Sequence, residues 1–203
     1  MEFVGFDFEG SGVYDGYPES PVQIGVSIMR NMLIEPALCS FLKREKPVHP
    51  QAFRVHGISH MDCQAAPRLL DFWTPLQPYL KMIPVAHNAG TEKKFLQSAF
   101  PLLPVRSFPW VDTLKLSRFA FPSLKDHSLE SVCAHLQLEG DIALLVPGKG
   151  WHDALFDASA SLVLLRHLLT LPGWEKVPLS WLQNPGNEQY HRLRRHERFC
   201  RLR

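Results

Sequence analysis

Apolar residues fall into short runs along the chain, separated by segments rich in proline and glycine. The runs Glu2 to Phe8, Val22 to Arg30 and Leu33 to Leu42 predict three strands, the last two joined by a short turn. Pro84 to His87 and Val105 to Val111 predict two more. Strands that come first, and then alternate with helices, indicate a mixed α/β sheet flanked by helices.

The strongest helical periodicity runs from Asp153 to Leu169. A second helical pattern, Arg68 to Leu80, contains two prolines and is expected to be broken. The segment from Gly140 to Gly150 is predicted to be a loop, and His49 to Met61 to be irregular with a short helix. Further helices are predicted over Thr91 to Phe100 with Thr91 as N-cap, from Asp112 as cap to Phe119, and over Ser128 to Leu136.

Composition fits a globular protein with one main domain. The 203 residues are 45% hydrophobic and 21% charged, so a sizeable core is possible without disulfides. The four cysteines have no metal-ligand spacing, and we expect reduced thiols in a cytoplasmic protein. No apolar run is long enough for a membrane span, and the early first strand leaves no room for a signal peptide.

Charge is unevenly distributed. The formal net charge is +2, yet the segment His191 to Arg203 holds six arginines and one glutamate. A basic tail on a mildly acidic body fits an arm that contacts a polyanion. A solvated amphipathic helix, or a surface for assembly with a partner protein, explains the same tail equally well.

Two acids interrupt the first apolar run. Asp7 and Glu9 are two residues apart on a predicted strand, so their side chains share a face. Carboxylates placed together near a core repel one another unless a cation lies between them. Oxygen ligands of this kind suit Mg²⁺ or Mn²⁺. The alternative is that both acids protect a sheet edge from aggregation.

Three motifs, in order, carry a resemblance to the DEDDh family of 3′–5′ exonucleases. They are Asp7-Phe8-Glu9, the segment Val85 to Leu96 (VAHNAGTEKKFL), and His152 followed by Asp157. Over roughly residues 1–170 the chain resembles this family, which implies a ribonuclease H-like fold with a five-stranded mixed sheet. We therefore expect an exonuclease domain over residues 1–172 and a C-terminal extension with the basic tail over 173–203.

The resemblance also implies a reaction and roles. Two divalent cations, Mg²⁺ or Mn²⁺, would assist hydrolysis of the terminal phosphodiester and release 5′-mononucleotides from single-stranded or frayed 3′ ends. It implies that Asp7 bridges both cations, that Glu9 and Asp157 hold one, and that Glu92 orients water or the other. His152 would be the general base, since imidazole titrates near neutral pH.

The spacing of His152 and Asp157 predicts that they lie on different structural elements. His152 and Asp157 lie about 140° apart around a helix and would not share a face. We therefore place His152 on the loop before the helix and Asp157 inside it, with Asp153 as the N-cap. The competing interpretation of Asp157 is a solvated helix residue.

One residue departs from the family pattern. The second motif usually supplies aspartate where this chain has Glu92. The alternative function is therefore a catalytically weakened nucleic-acid-binding or polymerase-accessory module of the same fold.

The binding site for the end of the substrate is expected at the turn after Glu9. The family places this turn under the terminal nucleotide, which implicates Gly10, Ser11, Gly12, His56 and Gly57, unless these residues only shape loops. The expected partners are DNA or RNA 3′ ends, with a homodimer or a polymerase or repair protein as further possibilities, and no membrane.

Overall fold

The computed structural model of the chain describes residues 1–13 and 15–186. Five strands form one sheet in the order β3-β2-β1-β4-β5. The first three are antiparallel neighbours, whereas β4 and β5 run parallel to β1. The predicted five-stranded mixed sheet is therefore confirmed. The strands are β1 (Glu2–Gly10), β2 (Pro21–Arg30), β3 (Leu33–Phe41), β4 (Ile83–Ala86) and β5 (Val111–Asp112).

Helices cover both faces of the sheet. In the described residues they are α1 (Pro50–His56), α2 (His60–Gln64), α3 (Trp73–Leu76), α4 (Gly90–Ala99), α5 (Thr113–Ala120), α6 (Leu129–His135), α7 (Glu139–Leu145), α8 (Ala154–Leu169) and α9 (Leu179–Gln183). One core contains β1 residues such as Phe6 and Phe8 with Phe95 of α4. The other lies between the sheet and α8 and includes Leu162 and Trp181. None of these helices is both long and apolar enough to cross a bilayer.

The long helix α8 lies against the sheet at van der Waals distance because two strand positions are glycine. A Cβ atom on Gly25 of β2 would stand 2.1 Å from the carbonyl oxygen of Ala154. A Cβ atom on Gly5 of β1 would stand 2.5 Å from the carbonyl oxygen of Ala158. Any side chain at either position would force the helix outward. These glycines therefore set how near the acids of α8 come to those of β1.

Several predicted elements are confirmed. Asp112 caps α5 by accepting the N–H of Leu114, and Asp153 caps α8 by accepting those of Leu155 and Phe156. The segment with two prolines is broken into two 3-10 turns and the short helix α3. The basic tail and the end of the C-terminal extension lie outside the described residues, and the division at residue 172 stays a prediction.

Three local predictions were wrong. The start of the loop predicted over Gly140 to Gly150 is helical instead, because α7 runs over Glu139–Leu145 and its first turn accommodates the exposed Gly140. Of the strand predicted over Val105 to Val111, only Val111 at its end is paired in the sheet. The start of the segment forms a 3-10 turn, and Pro109 has no N–H to donate to a neighbouring strand. Thr91 is not the N-cap, since α4 already begins at Gly90.

Gly25→Ala tests the close approach of α8. Its Cβ would collide with backbone that cannot rotate away, so we expect a loss of about 3 kcal/mol or more in the free energy of unfolding. The control is Gly140→Ala in α7, where no atom lies within 4 Å of the added Cβ. That change should be neutral or stabilising by about 0.5–1 kcal/mol. Urea unfolding measures both, and equal stabilities would refute the argument.

Candidate active site

Asp7 and Glu9 lie at the end of the central strand. Val4, Phe6 and Phe8 alternate with them and pack into the core beside α4. The two acids therefore face the other side of the sheet, where α8 lies. Since β1 is the third of five strands, the alternative that these acids protect a sheet edge is excluded.

Asp157 reaches the same place from the first turn of α8. Its Oδ2 accepts the backbone N–H of His152 at 3.2 Å. Its Oδ1 is buried and has no hydrogen-bond partner among the residues the structure describes. A solvated surface acid would not be held in this way, so the competing interpretation of Asp157 is not supported.

Glu92 approaches from the opposite helix. Strand β4, parallel to β1, leads into α4, and the N–H of Asn88 between them is held by the Asp112 carboxylate at 3.0 Å. Glu92 lies in the first turn of α4 with only 3% of its surface exposed. Its Oε2 is buried and unpartnered within the described part of the chain. The longer side chain therefore points inward at the acid cluster.

His152 stands on the loop before α8, as predicted, and its side chain is exposed. Its backbone is in the left-handed region at φ 65°, which is uncommon for a residue other than glycine. The neighbouring Trp151 packs on Phe156 with ring centroids 4.9 Å apart, which anchors the loop. One ligand atom each of Glu9, His152 and Asp157 lies within 4.8 Å of the others.

The four carboxyl groups are electrostatically crowded. Burial, followed by repulsion from Asp157, Glu92 and Glu9, raises the pKa of Asp7 well above its usual value. Burial and the charge of Asp157 raise the pKa of Glu9 to about 8. Burial is also the main cause that raises the pKa of Glu92 and that of Asp157. None of the four acids forms an ion pair with a described cationic side chain, and the charge of Lys93, which lowers the pKa of Glu92, does not outweigh burial.

The donor set fits a hard divalent cation. Carboxylate oxygens are the preferred ligands of Mg²⁺ and Mn²⁺, and two of these oxygens are buried without a described partner. A dication would give those oxygens a partner and would stabilise the charged carboxylates against burial and repulsion, the causes that raise the pKa values. With an imidazole beside two of the carboxylates, the arrangement can bind cations and transfer a proton next to them.

The residues expected to contact substrate also gather at the end of β1. His56 Nε2 lies 3.2 Å from the carbonyl oxygen of Gly10, and the His49 N–H donates to the Ser11 carbonyl at 2.9 Å. Gly12, at φ 68°, leaves room for His49, since a Cβ there would be 2.9 Å from the His49 Cβ. The turn after β1 therefore contacts both ends of α1, through His49 at its N-cap and His56 in its last turn.

Two of the five residues that were expected to contact substrate, Ser11 and Gly57, also have local structural roles. The Ser11 side chain is buried, donates to the Gly12 carbonyl and accepts the Ser20 N–H. Gly57 ends α1 in the left-handed conformation at φ 70°. Because the Ser11 N–H also donates to the Ser20 carbonyl and its carbonyl accepts from His49, Ser11 fixes the shape of the turn rather than offering a free group to a ligand.

Sequence reasoning missed three residues that build the site. Gly5 and Gly25 set the distance between β1 and α8, and glycine inside a strand often marks a close backbone approach. Gln23 interrupts an apolar strand and is 4% exposed, and its side chain binds the first residues of α8. Asp153, predicted only as a cap, also contributes charge that raises the pKa of Glu9.

Comparison with known proteins places this geometry in a family. The model of the exonuclease family RNase_T matches residues 4–165. A DNA polymerase III of PolC type from Oceanobacillus iheyensis is 29% identical over 170 residues, which cover 82% of this chain and 11% of that protein. The DNA polymerase III subunit epsilon of Escherichia coli is 28% identical over 167 residues, 78% of this chain and 62% of the subunit. The chain thus spans only part of these relatives.

Solved structures share the fold. An exonuclease X in complex with 5′ overhanging duplex DNA superposes with a TM-score of 0.68 at 23% identity, over 90% of this chain and 99% of that one. The E. coli exonuclease I in complex with a dA16 oligonucleotide has a TM-score of 0.62 at 16% identity, over 83% of this chain and 40% of that one.

The crowded carboxyls predict an inverted response of stability to pH. A carboxyl whose pKa is raised on folding keeps its proton in the folded state after the unfolded chain has lost it. Stability therefore falls as pH rises through this window, which for Glu9 runs from 4.5 to about 8. Without divalent cations, the unfolding temperature should decrease across it, and Mn²⁺ should stabilise the protein more at the upper end than at the lower.

Differential scanning calorimetry measures this effect. Asp7→Asn removes one of the repelling charges and should flatten the pH dependence, whereas Glu35→Gln, at an exposed position of β3, should leave it unchanged. If Asp7→Asn and the unaltered protein had the same pH profile, the crowding would not govern stability.

Proposed function

This chain belongs to the exonuclease family, and we propose that it is a 3′–5′ exonuclease that depends on divalent cations. It would release 5′-mononucleotides from single-stranded or frayed 3′ ends of DNA or RNA. The observation that carries the proposal is the convergence of Asp7, Glu9, Glu92 and Asp157, with His152 beside them, at the end of the central strand. The resemblance of the motifs to DEDDh exonucleases supports the polarity.

The four carboxylates would hold the cations. The charges of Asp157, Glu92 and Glu9 all add to the effect of burial in raising the pKa of Asp7, so Asp7 is near all three of the other acids. It is therefore the residue best placed to share two cations. When bound, such cations supply positive charge that offsets the charge of the scissile phosphate and its leaving oxygen. The protein's own part is to fix the oxygens that hold them.

His152 would take a proton from the attacking water. Its side chain is exposed to solvent at the mouth of the site, near Glu9 and Asp157. The backbone contact from His152 to Asp157 links the base to a cation-holding group, so that the two move together. An imidazole suits this task at neutral pH.

The turn after β1 would support the terminal nucleotide. Gly10 and Gly12 let Glu19 and His49 pack closely against the turn, and His56 contacts the Gly10 carbonyl. A 3′ end that rests here is close to Glu9, which the strand places next to Gly10. Because relatives are named as DNA polymerase III proteins, association with a polymerase is part of the proposal.

Asp7→Ala tests the proposal directly. Labelled DNA and RNA oligonucleotides should shorten from the 3′ end in Mg²⁺ or Mn²⁺ and stay intact in EDTA. Asp7→Ala should abolish the shortening while the protein stays folded, because the change relieves repulsion. His152→Ala should lower kcat by roughly 100- to 10,000-fold, the usual range for loss of a general base.

The matched control is Glu35→Ala, an exposed acid on β3 away from the cluster, which should retain full activity. Retention of full activity in Asp7→Ala would remove that residue from the site. Tight oligonucleotide binding without hydrolysis by the unaltered protein would instead favour the weakened binding module.

Glu92 needs a separate test, since it replaces the family's aspartate. Glu92→Gln keeps the length but removes the charge, and should lower kcat strongly. Glu92→Asp keeps the charge but withdraws the carboxylate by one methylene, and a misplacement of about 1 Å can cost on the order of 100-fold in rate. We expect Glu92→Asp to lose activity, and Mn²⁺ to restore part of it. Full activity in Glu92→Gln would exclude Glu92 from the reaction.

A further inference from the structure

We propose that Gln23 of β2 is a positioning residue that fixes the N-terminal end of α8, and through it His152 and Asp157, for hydrolysis. This inference rests on the proposed function. Gln23 is the register partner of Glu9 on the neighbouring strand. It is 4% exposed and borders the acid cluster without belonging to it.

Both ends of the Gln23 amide bind the start of α8. Its Nε2 donates to Asp153 Oδ2 at 3.1 Å, and its Oε1 accepts the N–H of Ala154 at 3.0 Å. The chemistry fixes this orientation, since a carboxylate only accepts and a backbone N–H only donates. One buried side chain on a rigid strand therefore holds two consecutive residues at the helix end.

Those two residues follow His152 directly. Asp153 Oδ1 accepts the N–H groups of Leu155 and Phe156, so Gln23 holds the residue that caps the helix. The N–H of His152 in turn donates to Asp157. Displacement of Asp153 would thus move the proposed base and one proposed cation ligand together.

Other contacts already keep the rest of α8 on the sheet. Ser27, on the same strand and face as Gln23, pairs its hydroxyl with that of Ser159 at 2.6 Å. Gly5 and Gly25 admit the helix backbone beside them. Lys149 also contacts Asp153, at 2.6 Å, but from the loop and with a third of its side chain exposed. Gln23 is therefore the rigid, buried contact at the end that faces the site.

Gln23→Met is the main test variant, because it keeps the volume and removes both hydrogen bonds. We expect kcat to fall by roughly 10- to 100-fold on a labelled single-stranded oligonucleotide with Mn²⁺, because His152 and Asp157 would be slightly misplaced. KM should change little. Amide hydrogen exchange should rise in the segment 150–157.

Ser27→Ala is the matched control on the same strand and helix. It removes a buried hydrogen bond at a distance from the site, so it should lower the unfolding temperature and leave kcat and the exchange of segment 150–157 unchanged. A merely structural role for Gln23 would make the two variants alike.

A polarity swap provides the rescue. Gln23→Glu alone sets a carboxylate against Asp153 and should lower kcat. Gln23→Glu combined with Asp153→Asn lets the new amide donate to the new carboxylate, while the Ala154 N–H keeps an acceptor and asparagine still caps the helix. The double variant should recover part of the lost kcat, because it restores the contact with residue 23 but removes the oxygen that Lys149 binds on Asp153.

The inference is overturned if Gln23→Met keeps wild-type kcat, if Ser27→Ala loses as much kcat, or if the swap gives no recovery. Failure of the proposed function looks different, since the unaltered protein would then hydrolyse no oligonucleotide. In that case the exchange of segment 150–157 in Gln23→Met still decides whether Gln23 fixes the helix end.

Discussion

The close approach of α8 to β1 and β2 is the constraint on which the site depends. Two strand positions are glycine, and the helix backbone occupies the space that side chains would need. This contact brings Asp157, from the far end of the domain, next to Asp7 and Glu9 of the first strand. Gln23 and Asp153 then fix the end of the helix that carries the loop of His152. A site assembled from distant segments is thus held by the close approach of α8 to the sheet and by the side chains of Gln23 and Asp153.

The same approach creates an electrostatic cost. Burial raises the pKa values of all four carboxyl groups, and repulsion within the cluster adds to it for Asp7 and Glu9. Two of the carboxyl oxygens have no partner among the described residues. Folding therefore works against the charges that the proposed reaction needs, and the rest of the two cores must offset this. Divalent cations would relieve the repulsion on binding. Stability and function then oppose each other at these positions, as is common at active sites.

Much of this arrangement could be predicted from the sequence. The acids Asp7 and Glu9 stand out because they interrupt an apolar strand, and the spacing of His152 and Asp157 places one on a loop and the other in a helix. The central strands and α8 have clear periodicity. What could not be predicted was set by tertiary contacts: α7 is short and starts next to a glycine, and Pro109 limits β5 to two paired residues. Glycines look alike in sequence, so the contacts of Gly5 and Gly25 appear only when the helix is in place.

The central claim is that the carboxylates at the end of β1 form a cation site. Anomalous diffraction from crystals grown with Mn²⁺ and a non-hydrolysable oligonucleotide tests it most directly. The account predicts manganese peaks within coordination distance of the Asp7 carboxylate, with further ligand oxygens from Glu9, Glu92 or Asp157. It would be contradicted if the cluster held no peak at a saturating Mn²⁺ concentration and its buried oxygens were instead paired with protein groups.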